Sequence, residues 1–383
     1  MRIGFDAKRA FHNFRGLGNY SRDLIRILQE RTDTELVLFN PIKRKFLGVK
    51  ITPRTTEINP KGFFWKMLKS LWRLFHITTL AKEQQLDIYH GLSGEIPMGI
   101  YKYVPTVVTI HDLIFLRFPQ WYSAFDRKIH TLKFRYAAQK AQHIIAISEQ
   151  TKRDIVDYFH IDPNKISVVY QGCHAAFKQN YTEEEKAKVR EKYALPDRFV
   201  LNVGAIEERK NALEIVKAIK GTDLPLIMVG KKTAYYDRIE AYCKKNDMQS
   251  QVRVLSGVSM QELAMIYQAA TIFCYPSVFE GFGIPIIEAL FSKTPVITSQ
   301  GSCFEEAGGS GSIYINPTEN TAQEIRQALE ELLSSPERMQ QMREVGYNYV
   351  QKFTDENVCE NLLKVYQKVI SSTIKRDCYQ TSL

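Results

Sequence analysis

An acidic pair in a glycine-rich turn is the strongest chemical signal in the sequence. Glu280 and Glu288 stand eight residues apart in the segment SVFEGFGIPIIEA, residues 277–289. Carboxylate oxygens accept hydrogen bonds from hydroxyl groups, so two of them beside one pocket suit the hydroxyls of a ribose and a sugar. The alternative is that the segment only begins a buried helix and the acids are solvated. The combination of acids, glycines and proline favours a ligand site.

The backbone of the same turn is suited to an anion or a polar sugar. The turn follows the apolar run Thr271–Tyr275, and Gly281 and Gly283 let a ligand approach the main chain closely. Pro285 fits the first turn of a helix, where its missing N–H costs nothing. We expect the backbone N–H groups around Gly283 and Ile284 to face the ligand, because the first N–H groups of a helix have no partner within it.

Two adjacent cations follow another apolar run. Phe199–Val203 ends at Gly204, and Arg209 and Lys210 come shortly after it in the string GAIEERKN. A guanidinium bonds two oxygens at once and an ammonium acts as a point charge, so this pair could neutralise a diphosphate leaving group. Asn211 is expected to cap the helix that begins there. A solvated helix end is the alternative for this segment taken alone.

The N-terminal half offers a glycine turn and a histidine. Gly16 and Gly18 lie between the first apolar run and its helix, where they would let a ligand approach a helix N-terminus. The turn is not the dinucleotide-binding pattern GxGxxG, because Ser21 stands at its last position. A tight turn without a ligand is the alternative. His111 ends an apolar run and is expected to face a cleft, although a lone histidine there is more often structural.

Short apolar runs alternate with helical patterns along the whole chain. In the N-terminal half the predicted strands are Ile3–Asp6, Asp87–His90, Val107–His111, His143–Ser148 and Ile166–Tyr170. In the C-terminal half they are Phe199–Val203, Leu224–Val229, Thr271–Tyr275 and Pro295–Thr298. Such runs between helices are typical of parallel sheets that are buried on both faces and bind ligands at the carboxyl ends of their strands.

We therefore predict an α/β protein of two Rossmann-like, doubly wound domains that face each other across a cleft. The length of 383 residues also favours two domains. The N-terminal domain is expected over residues 1–178 and the C-terminal domain over residues 190–354, with a charge-dense linker between them.

At these residues the sequence resembles the retaining GT-B glycosyltransferases of the group 1 family, also called glycosyltransferase family four, and bacterial mannosyltransferases in particular. The E-x7-E motif of Glu280 and Glu288 is the most specific element, and RKN at 209–211 and GLGNYS at 16–21 also match. The resemblance implies transfer of a sugar from a nucleotide-sugar, retention of anomeric configuration and no divalent metal. It also implies that a C-terminal helix, residues 355–383, crosses back to the N-terminal domain.

The resemblance also assigns roles to individual residues, four of them catalytic. Arg209 and Lys210 would bind the donor diphosphate, and Glu280 would contact hydroxyls of the donor sugar. His111 would contact that sugar near the reacting carbon. The donor-binding candidates are the ribose contact Glu288, the nucleobase contact Val258, the glycines Gly16, Gly18 and Gly204, and the backbone N–H groups of Phe282, Gly283 and Ile284.

The predicted function is transfer of a hexose, with retention, to a glycan or lipid-linked acceptor in the synthesis of a surface polysaccharide. Comparison of the motifs favours GDP-mannose as the donor, with UDP-hexoses as the alternative. The nucleotide-sugar is a substrate, and no cofactor is expected. A nucleotide-sugar epimerase of the same fold and a non-catalytic nucleotide-sugar-binding protein are the competing hypotheses. Nucleic acid is not expected as a partner, because no helix-turn-helix, RNP or zinc-binding pattern is present.

The distribution of charge suggests an anionic partner for the N-terminal half. Residues 1–178 contain 28 Lys and Arg against 15 Asp and Glu, whereas the remaining residues contain 24 against 27. Residues 42–75 are basic with interleaved aromatic side chains, and residues 64–75 show one apolar helical face. Such a helix lies on an anionic membrane surface or packs against the sheet, and we keep both interpretations.

Hydropathy and cysteine usage bear on location and metal binding. No apolar run is long enough to span a bilayer, and the N-terminus resembles a first strand rather than a signal peptide. We therefore expect a cytoplasmic protein that is peripheral on the inner face of the membrane. The six cysteines are scattered without a CxxC pair, which argues against a zinc site.

Overall fold

The computed structural model describes residues 1–13, 16–43 and 48–380, with side chains as far as residue 373. The chain divides into two compact units. Unit 1 comprises Met1–Gly172 and Thr354–Leu383, and unit 2 comprises Cys173–Phe353. Each unit is built on one parallel sheet flanked by helices, which confirms the predicted fold class.

Unit 1 contains seven strands. They are β1 (Arg2–Asp6), β2 (Glu35–Phe39), β3 (Thr55–Ile58), β4 (Ile88–Gly91), β5 (Thr106–Ile110), β6 (His143–Ala146) and β7 (Ile166–Val168). Their order across the sheet is β3-β2-β1-β4-β5-β6-β7, so the winding direction reverses between β1 and β4. The α-helices within the Met1–Gly172 segment of unit 1 are α1 (Lys8–His12), α2 (Gly16–Arg31), α3 (Gly62–Met67), α4 (Lys69–Leu71), α5 (Ile77–Glu83), α6 (Ile114–Arg117), α7 (Ala124–Lys140) and α8 (Glu149–Phe159).

Unit 2 contains six strands. They are β8 (Val200–Val203), β9 (Leu226–Val229), β10 (Val252–Leu255), β11 (Ile272–Tyr275), β12 (Val296–Ser299) and β13 (Ile313–Ile315), in the order β10-β9-β8-β11-β12-β13. The helices are α9 (Glu183–Lys192), α10 (Ala212–Ala218), α11 (Tyr236–Lys245), α12 (Met260–Ala269), α13 (Ile284–Phe291), α14 (Phe304–Gly308), α15 (Thr321–Ser334) and α16 (Pro336–Val350). The last helix of the chain, α17 (Asp355–Gln380), belongs to unit 1.

The central strands are buried along their whole length, as parallel strands covered by helices on both faces must be. Every residue of β5, with the sequence TVVTI, is buried, and so is every residue of β11, with the sequence IFCY. All nine strands predicted from apolar runs are present, with ends that differ by up to two residues.

Four strands were not predicted. β10 and β13 are the two edges of their sheet, and β3 is an edge of the other. Edge strands are covered on fewer sides, and β3 and β10 carry Glu57 and Arg253, so neither forms a continuous apolar run. β2, with the sequence ELVLF, is an inner strand with an apolar run of its own and was not among the predicted strands.

The apolar pattern at residues 64–75 does not form the single helix that was predicted. The segment consists of α3, α4 and a π-helical turn at Trp72–His76. Only Trp72 of the expected apolar face is buried, against Phe39, whereas Phe64, Met67 and Phe75 are exposed. Arg44, Lys45 and Phe46 of the predicted basic loop lie outside the described residues. In the part of the chain that the structure describes, no helix has both the length and the apolar composition needed to cross a membrane.

Helix α17 is joined to the sheet of unit 1 through a buried polar chain. Its Tyr366 hydroxyl lies 2.7 Å from His90 Nδ1, and His90 Nε2 lies 2.7 Å from the Thr109 hydroxyl. Thr109 in turn lies 3.1 Å from the Tyr20 hydroxyl on α2. Burial lowers the pKa of His90 to about 3, so this imidazole is neutral. One of its ring nitrogens donates a hydrogen bond and the other accepts one. The chain of bonds fixes α17 and α2 on the same sheet.

The two glycines of the predicted glycine turn have different surroundings. Both lie in the first turn of α2, within the helix rather than before it as predicted. A Cβ on Gly18 would lie 1.7 Å from the Asn13 carbonyl oxygen, whereas a Cβ on Gly16 would meet no described residue within 4 Å. Gly18 is therefore required for the close packing of α2 on the backbone at Asn13, and the described residues show no such contact at Gly16.

We predict that Gly18→Ala lowers the free energy of unfolding by roughly 3 kcal/mol, because a backbone carbonyl cannot move aside for the new methyl group. Gly16→Ala is the matched control, and it should change that free energy by less than about 0.5 kcal/mol. Chemical denaturation followed by circular dichroism measures both. Equal stability of the two variants would contradict the packing role of Gly18.

Candidate active site

The sheet of unit 2 changes its winding direction between β8 and β11. Loops that leave neighbouring strands in opposite directions open a crevice at the carboxyl ends of the strands, which is where α/β sheets bind ligands. Residues 204–211 follow β8 and residues 276–283 follow β11, so both predicted motifs of unit 2 lie at this reversal. We call these two loops the reversal loops.

Glu280 is the centre of the site. Its Oε1 forms an ion pair with Arg209 Nη1 at 2.7 Å and another with the ammonium of Lys210. The same oxygen accepts hydrogen bonds from the Tyr275 hydroxyl at 2.9 Å and the Ser277 hydroxyl at 2.8 Å. Among the described residues no group donates to Glu280 Oε2, so that oxygen remains available for a hydroxyl of a ligand.

The charges of this cluster depend on one another. Burial alone would raise the pKa of Glu280, but Lys210 and Arg209 outweigh burial and lower it to about 2. Burial lowers the pKa of the Lys210 ammonium, and Glu280 opposes that effect. Glu280 raises the pKa of the Arg209 guanidinium against the cost of burial. The three groups are therefore ionised together, because a buried charge needs a close partner of opposite sign.

The two reversal loops are fixed to each other through the backbone of Arg209. Its carbonyl oxygen accepts hydrogen bonds from the Val278 N–H at 2.9 Å and the Ser277 hydroxyl at 3.1 Å. Asn211, in the left-handed region with φ of 59°, ends the short 3-10 turn Glu208–Lys210 and precedes α10. The cap predicted for Asn211 is wrong, because its side chain makes no cap bond and donates instead to the Pro317 carbonyl oxygen at 3.0 Å.

The start of α13 has the glycine geometry expected of a ligand-binding turn. Gly283 has φ of 102°, a value that side chains with a Cβ rarely adopt, and Ile284 begins the helix. The first N–H groups of the helix have no acceptor within it. The side chain of Phe282 packs edge-on against Phe353, with ring centroids 5.3 Å apart. Phe282 therefore has a packing role, and only its backbone is suited to a ligand contact.

Glu288 lies one turn further along α13, in different surroundings from Glu280. Its Oε2 accepts a hydrogen bond from the Tyr267 hydroxyl at 3.1 Å. Burial raises the pKa of Glu288 to about 7, and the bond from Tyr267 only partly opposes this shift. The E-x7-E motif therefore holds one carboxylate that is charged at neutral pH and one whose pKa lies near neutral pH.

Gly204 and Val258 lie at the same edge of the sheet. Gly204 follows β8 with φ of 141°, and a Cβ there would meet only the Lys210 side chain, at 3.7 Å. The backbone at Gly204 is thus open to a ligand. Val258 lies in the loop between β10 and α12 and is partly exposed.

The remaining predicted site residues belong to unit 1. Gly16 and Gly18 open α2, and His111 directly follows β5. His111 Nε2 lies 2.8 Å from the Leu92 carbonyl oxygen, which can only accept, so Nε2 carries the proton. Burial lowers the pKa of His111 to about 4, so the ring is neutral and Nδ1 carries a lone pair. The Tyr20 ring packs edge-on against it at 4.6 Å.

Three residues around Glu280 were not among the predicted site residues. Tyr275 donates to Glu280 and lies beneath Lys210, with the ammonium 4.8 Å from the ring centroid. Ser277 bridges Glu280 and the backbone of Arg209, and Glu207 pairs with Arg209 at 2.9 Å. Their position in the sequence could have indicated Tyr275 and Ser277. Tyr275 is the last residue of a predicted strand and Ser277 follows it, and the carboxyl end of that strand was expected at the site.

The described residues contain no group of three or more His, Cys, Asp or Glu side chains that could hold a metal ion. Within the reversal loops Arg209 and Lys210 supply cationic side chains that a bound anion can meet. Lys231 and Lys232 follow β9 at the same edge and are exposed.

Comparisons with known proteins identify the family. The family model of the group 1 glycosyl transferases matches residues 183–349, and that of glycosyltransferase family 4 matches residues 14–177. The O-antigen chain mannosyltransferase RfbU of Salmonella typhimurium is 28% identical over 358 residues, 90% of this chain and 93% of its own. O-antigen chain mannosyltransferase B of Escherichia coli is 24% identical over 83% of this chain and 87% of its own.

Solved structures show the same fold. Sucrose-phosphate synthase from Thermosynechococcus elongatus has a TM-score of 0.78 at 18% identity and covers 97% of this chain and all of its own. Anabaena HepE, solved in complex with UDP, has a TM-score of 0.74 at 14% identity, over 96% of this chain and 100% of its own. The chain therefore belongs to the group 1 glycosyltransferases, with a family 4 domain before the group 1 domain, and it has the GT-B fold.

The raised pKa of Glu288 makes stability depend on pH. The folded state keeps a proton on Glu288 up to a pKa of about 7, whereas the unfolded chain releases it near the model value of 4.5, so stability falls as pH rises through this window. We predict that Glu288→Gln removes this loss, because glutamine does not titrate. The free energy of unfolding of the variant, relative to that of the native protein, should therefore be about 2 kcal/mol higher at pH 8 than at pH 5. Denaturant unfolding at a series of pH values measures it. A gain that is the same at both pH values would contradict a titrating Glu288.

Proposed function

We propose that this glycosyltransferase transfers mannose from GDP-mannose, with retention of configuration, to a glycan or lipid-linked acceptor in surface polysaccharide synthesis. The two curated relatives named above are both O-antigen chain mannosyltransferases, and they align over most of their length. A UDP-hexose is the alternative donor, since Anabaena HepE was solved with UDP-glucose. We further propose that the protein acts in the cytoplasm, on the inner face of the membrane.

One observation carries the proposal: two partly buried cations share a single carboxylate at the strand-order reversal of unit 2. A nucleoside diphosphate brings two phosphate groups, which suit Arg209 and Lys210. In this binding mode Glu280 Oε2 accepts a hydrogen bond from a hydroxyl of the sugar, and Glu288 accepts one from the ribose. The backbone at Gly204, Gly283 and Ile284 leaves room for the donor, and Val258 contacts the base.

The surroundings of Glu280 support a front-side displacement without a covalent intermediate. A carboxylate with a pKa of about 2 that is shared by two cations is a weak base and a weak nucleophile. In the proposed step the bond from the anomeric carbon to the phosphate oxygen breaks on the face where the bond to the acceptor oxygen forms. The acceptor proton passes to the leaving diphosphate, whose charge Arg209 and Lys210 stabilise. A glycosyl adduct on the protein, detected by mass spectrometry, would contradict this step.

His111 is assigned to the donor sugar in the same proposal. Its neutral ring, with the Nε2 proton held by the Leu92 carbonyl oxygen, presents Nδ1 as an acceptor for a sugar hydroxyl. The catalytic contribution of the chain is therefore electrostatic and positional, and no divalent metal takes part in the proposed step.

We predict that the protein releases GDP from GDP-mannose in the presence of a bacterial lipid and glycan extract, with or without EDTA. The test is a panel of GDP-, UDP-, ADP- and dTDP-sugars in which release of the nucleoside diphosphate is measured. Glu280→Gln should lower the rate roughly hundredfold or more, because Lys210 and Arg209 lose the partner that positions them.

Glu208→Gln is the matched control, since Glu208 lies in the same loop but pairs on the surface with Arg238. It should leave the rate unchanged. Conversion of one nucleotide-sugar into another without diphosphate release would support the epimerase instead. Donor binding without turnover, in the native protein and in Glu280→Gln alike, would support a non-catalytic binding protein.

A further inference from the structure

Residues 61–75 of unit 1 form an exposed apolar ridge, which we call the ridge. Seven large apolar side chains within it are exposed, and they are Phe63, Phe64, Met67, Leu68, Leu71, Leu74 and Phe75. Phe63 is 81% exposed and Met67 is 65% exposed, values that folded proteins rarely allow for neighbouring large apolar residues. An exposed apolar surface of this kind marks a site of interaction.

The ridge is held in place by a few contacts on its inner side. Trp72 is fully buried and packs against Phe39 of the sheet. The Met98 N–H donates to the Leu74 carbonyl oxygen at 2.7 Å, and the Trp65 ring stacks on His76 at 4.7 Å. These contacts fix the backbone and leave the apolar side chains outside, so their exposure does not result from a loose segment.

The charge of the ridge and its flanks is of one sign. Residues 58–82 contain no Asp or Glu and five Lys or Arg. Lys61, Lys66 and Lys69 are exposed between the apolar side chains. Apolar side chains mixed with lysines match the interface of an anionic bilayer, where the apolar groups enter the acyl boundary and the ammonium groups meet the lipid phosphates. A folded protein partner would be expected to need acids facing these lysines and a polar rim.

The ridge is also connected to the ligand edge of unit 1. Arg73, in the π-helical turn, donates to Asp6 Oδ2 through Nε at 2.8 Å and pairs with Glu95 at 3.2 Å. Asp6 ends β1, and Glu95 follows β4, the two strands between which the sheet of unit 1 reverses its winding. The crevice at such a reversal is where this type of sheet binds ligands. The ridge therefore lies beside that crevice, and any surface that binds the ridge lies beside it too.

We propose that the ridge docks unit 1 on an anionic lipid bilayer and holds the strand reversal of β1 and β4 at the membrane surface. The choice of a lipid-linked acceptor rests on the proposed function, whereas docking itself depends only on the ridge. In this arrangement an acceptor anchored in the bilayer reaches the crevice without leaving the membrane.

The test is flotation of the full-length protein with vesicles of phosphatidylcholine alone and of phosphatidylcholine mixed with phosphatidylglycerol. The native protein should bind the anionic vesicles, and bind them more weakly at high salt. The triple variant Lys61→Gln/Lys66→Gln/Lys69→Gln should weaken this binding about tenfold or more, since each lysine near the surface contributes about fivefold. The triple variant Phe63→Ser/Phe64→Ser/Met67→Ser should weaken it about tenfold or more as well, since it removes apolar groups that enter the acyl boundary. All six residues are exposed, so both variants are expected to fold.

Phe125→Ser/Leu132→Ser is the matched control, because these exposed apolar residues lie on α7 of the same unit, outside the ridge. It should bind vesicles as the native protein does. Docking by the ridge is overturned if the native protein floats with neither vesicle, or if the control weakens binding as much as the ridge variants do. It is also overturned if the ridge variants abolish only a dimer seen by sedimentation, since the ridge then binds a second copy.

Release of diphosphate from the donor is measured on the same variants in the absence of lipid, and the ridge variants should match the native protein. Loss of vesicle binding with donor turnover intact supports docking as a separate property of the chain. Vesicle binding in a protein that releases no diphosphate from any donor would leave docking supported and the proposed function contradicted.

Discussion

The candidate site depends on one carboxylate that holds two partly buried cations together. Without Glu280, Arg209 and Lys210 would repel each other in a region with little water to screen them. Without the two cations, Glu280 would be protonated more easily, because burial disfavours its charge. The cluster therefore holds its charges in place before any ligand arrives. Catalysis of a group transfer gains most from charges that need no rearrangement while negative charge develops on the leaving group.

The rest of unit 2 can be understood as the support for this ion cluster. The strand order brings the loops after β8 and β11 to one crevice, and the backbone of Arg209 ties those loops together through Ser277 and Val278. Gly204 and Gly283 have no side chain, so a donor can approach the main chain closely at these two positions. Unit 1 also has an ion pair at its strand reversal, formed by Asp6 and Arg73. Arg73 belongs to the ridge, so this pair connects the ridge to the ligand edge of the sheet.

The sequence predicted the alternation of strands and helices and both reversal loops, because these follow from local apolar runs and from glycines and charges at their ends. It did not predict what depends on tertiary packing. Tyr275 looked like the last residue of an apolar strand, and only the fold brings its hydroxyl to Glu280. The structure places Gly18 against the Asn13 carbonyl oxygen, a packing role that its position in a glycine turn did not indicate. The helix expected at residues 64–75 is broken at Leu68, whose backbone leaves helical geometry between α3 and α4.

The measurement that tests the central claim most directly is calorimetric titration of the full-length protein with GDP and with UDP. The account predicts that one of them binds to the native protein, and that Lys210→Gln and Arg209→Gln each weaken binding about tenfold or more, because each removes a charged contact to the diphosphate. Arg238→Gln removes a surface cation of the same unit and should bind as the native protein does. Equal affinity in all four proteins would contradict a diphosphate site at Arg209, Lys210 and Glu280.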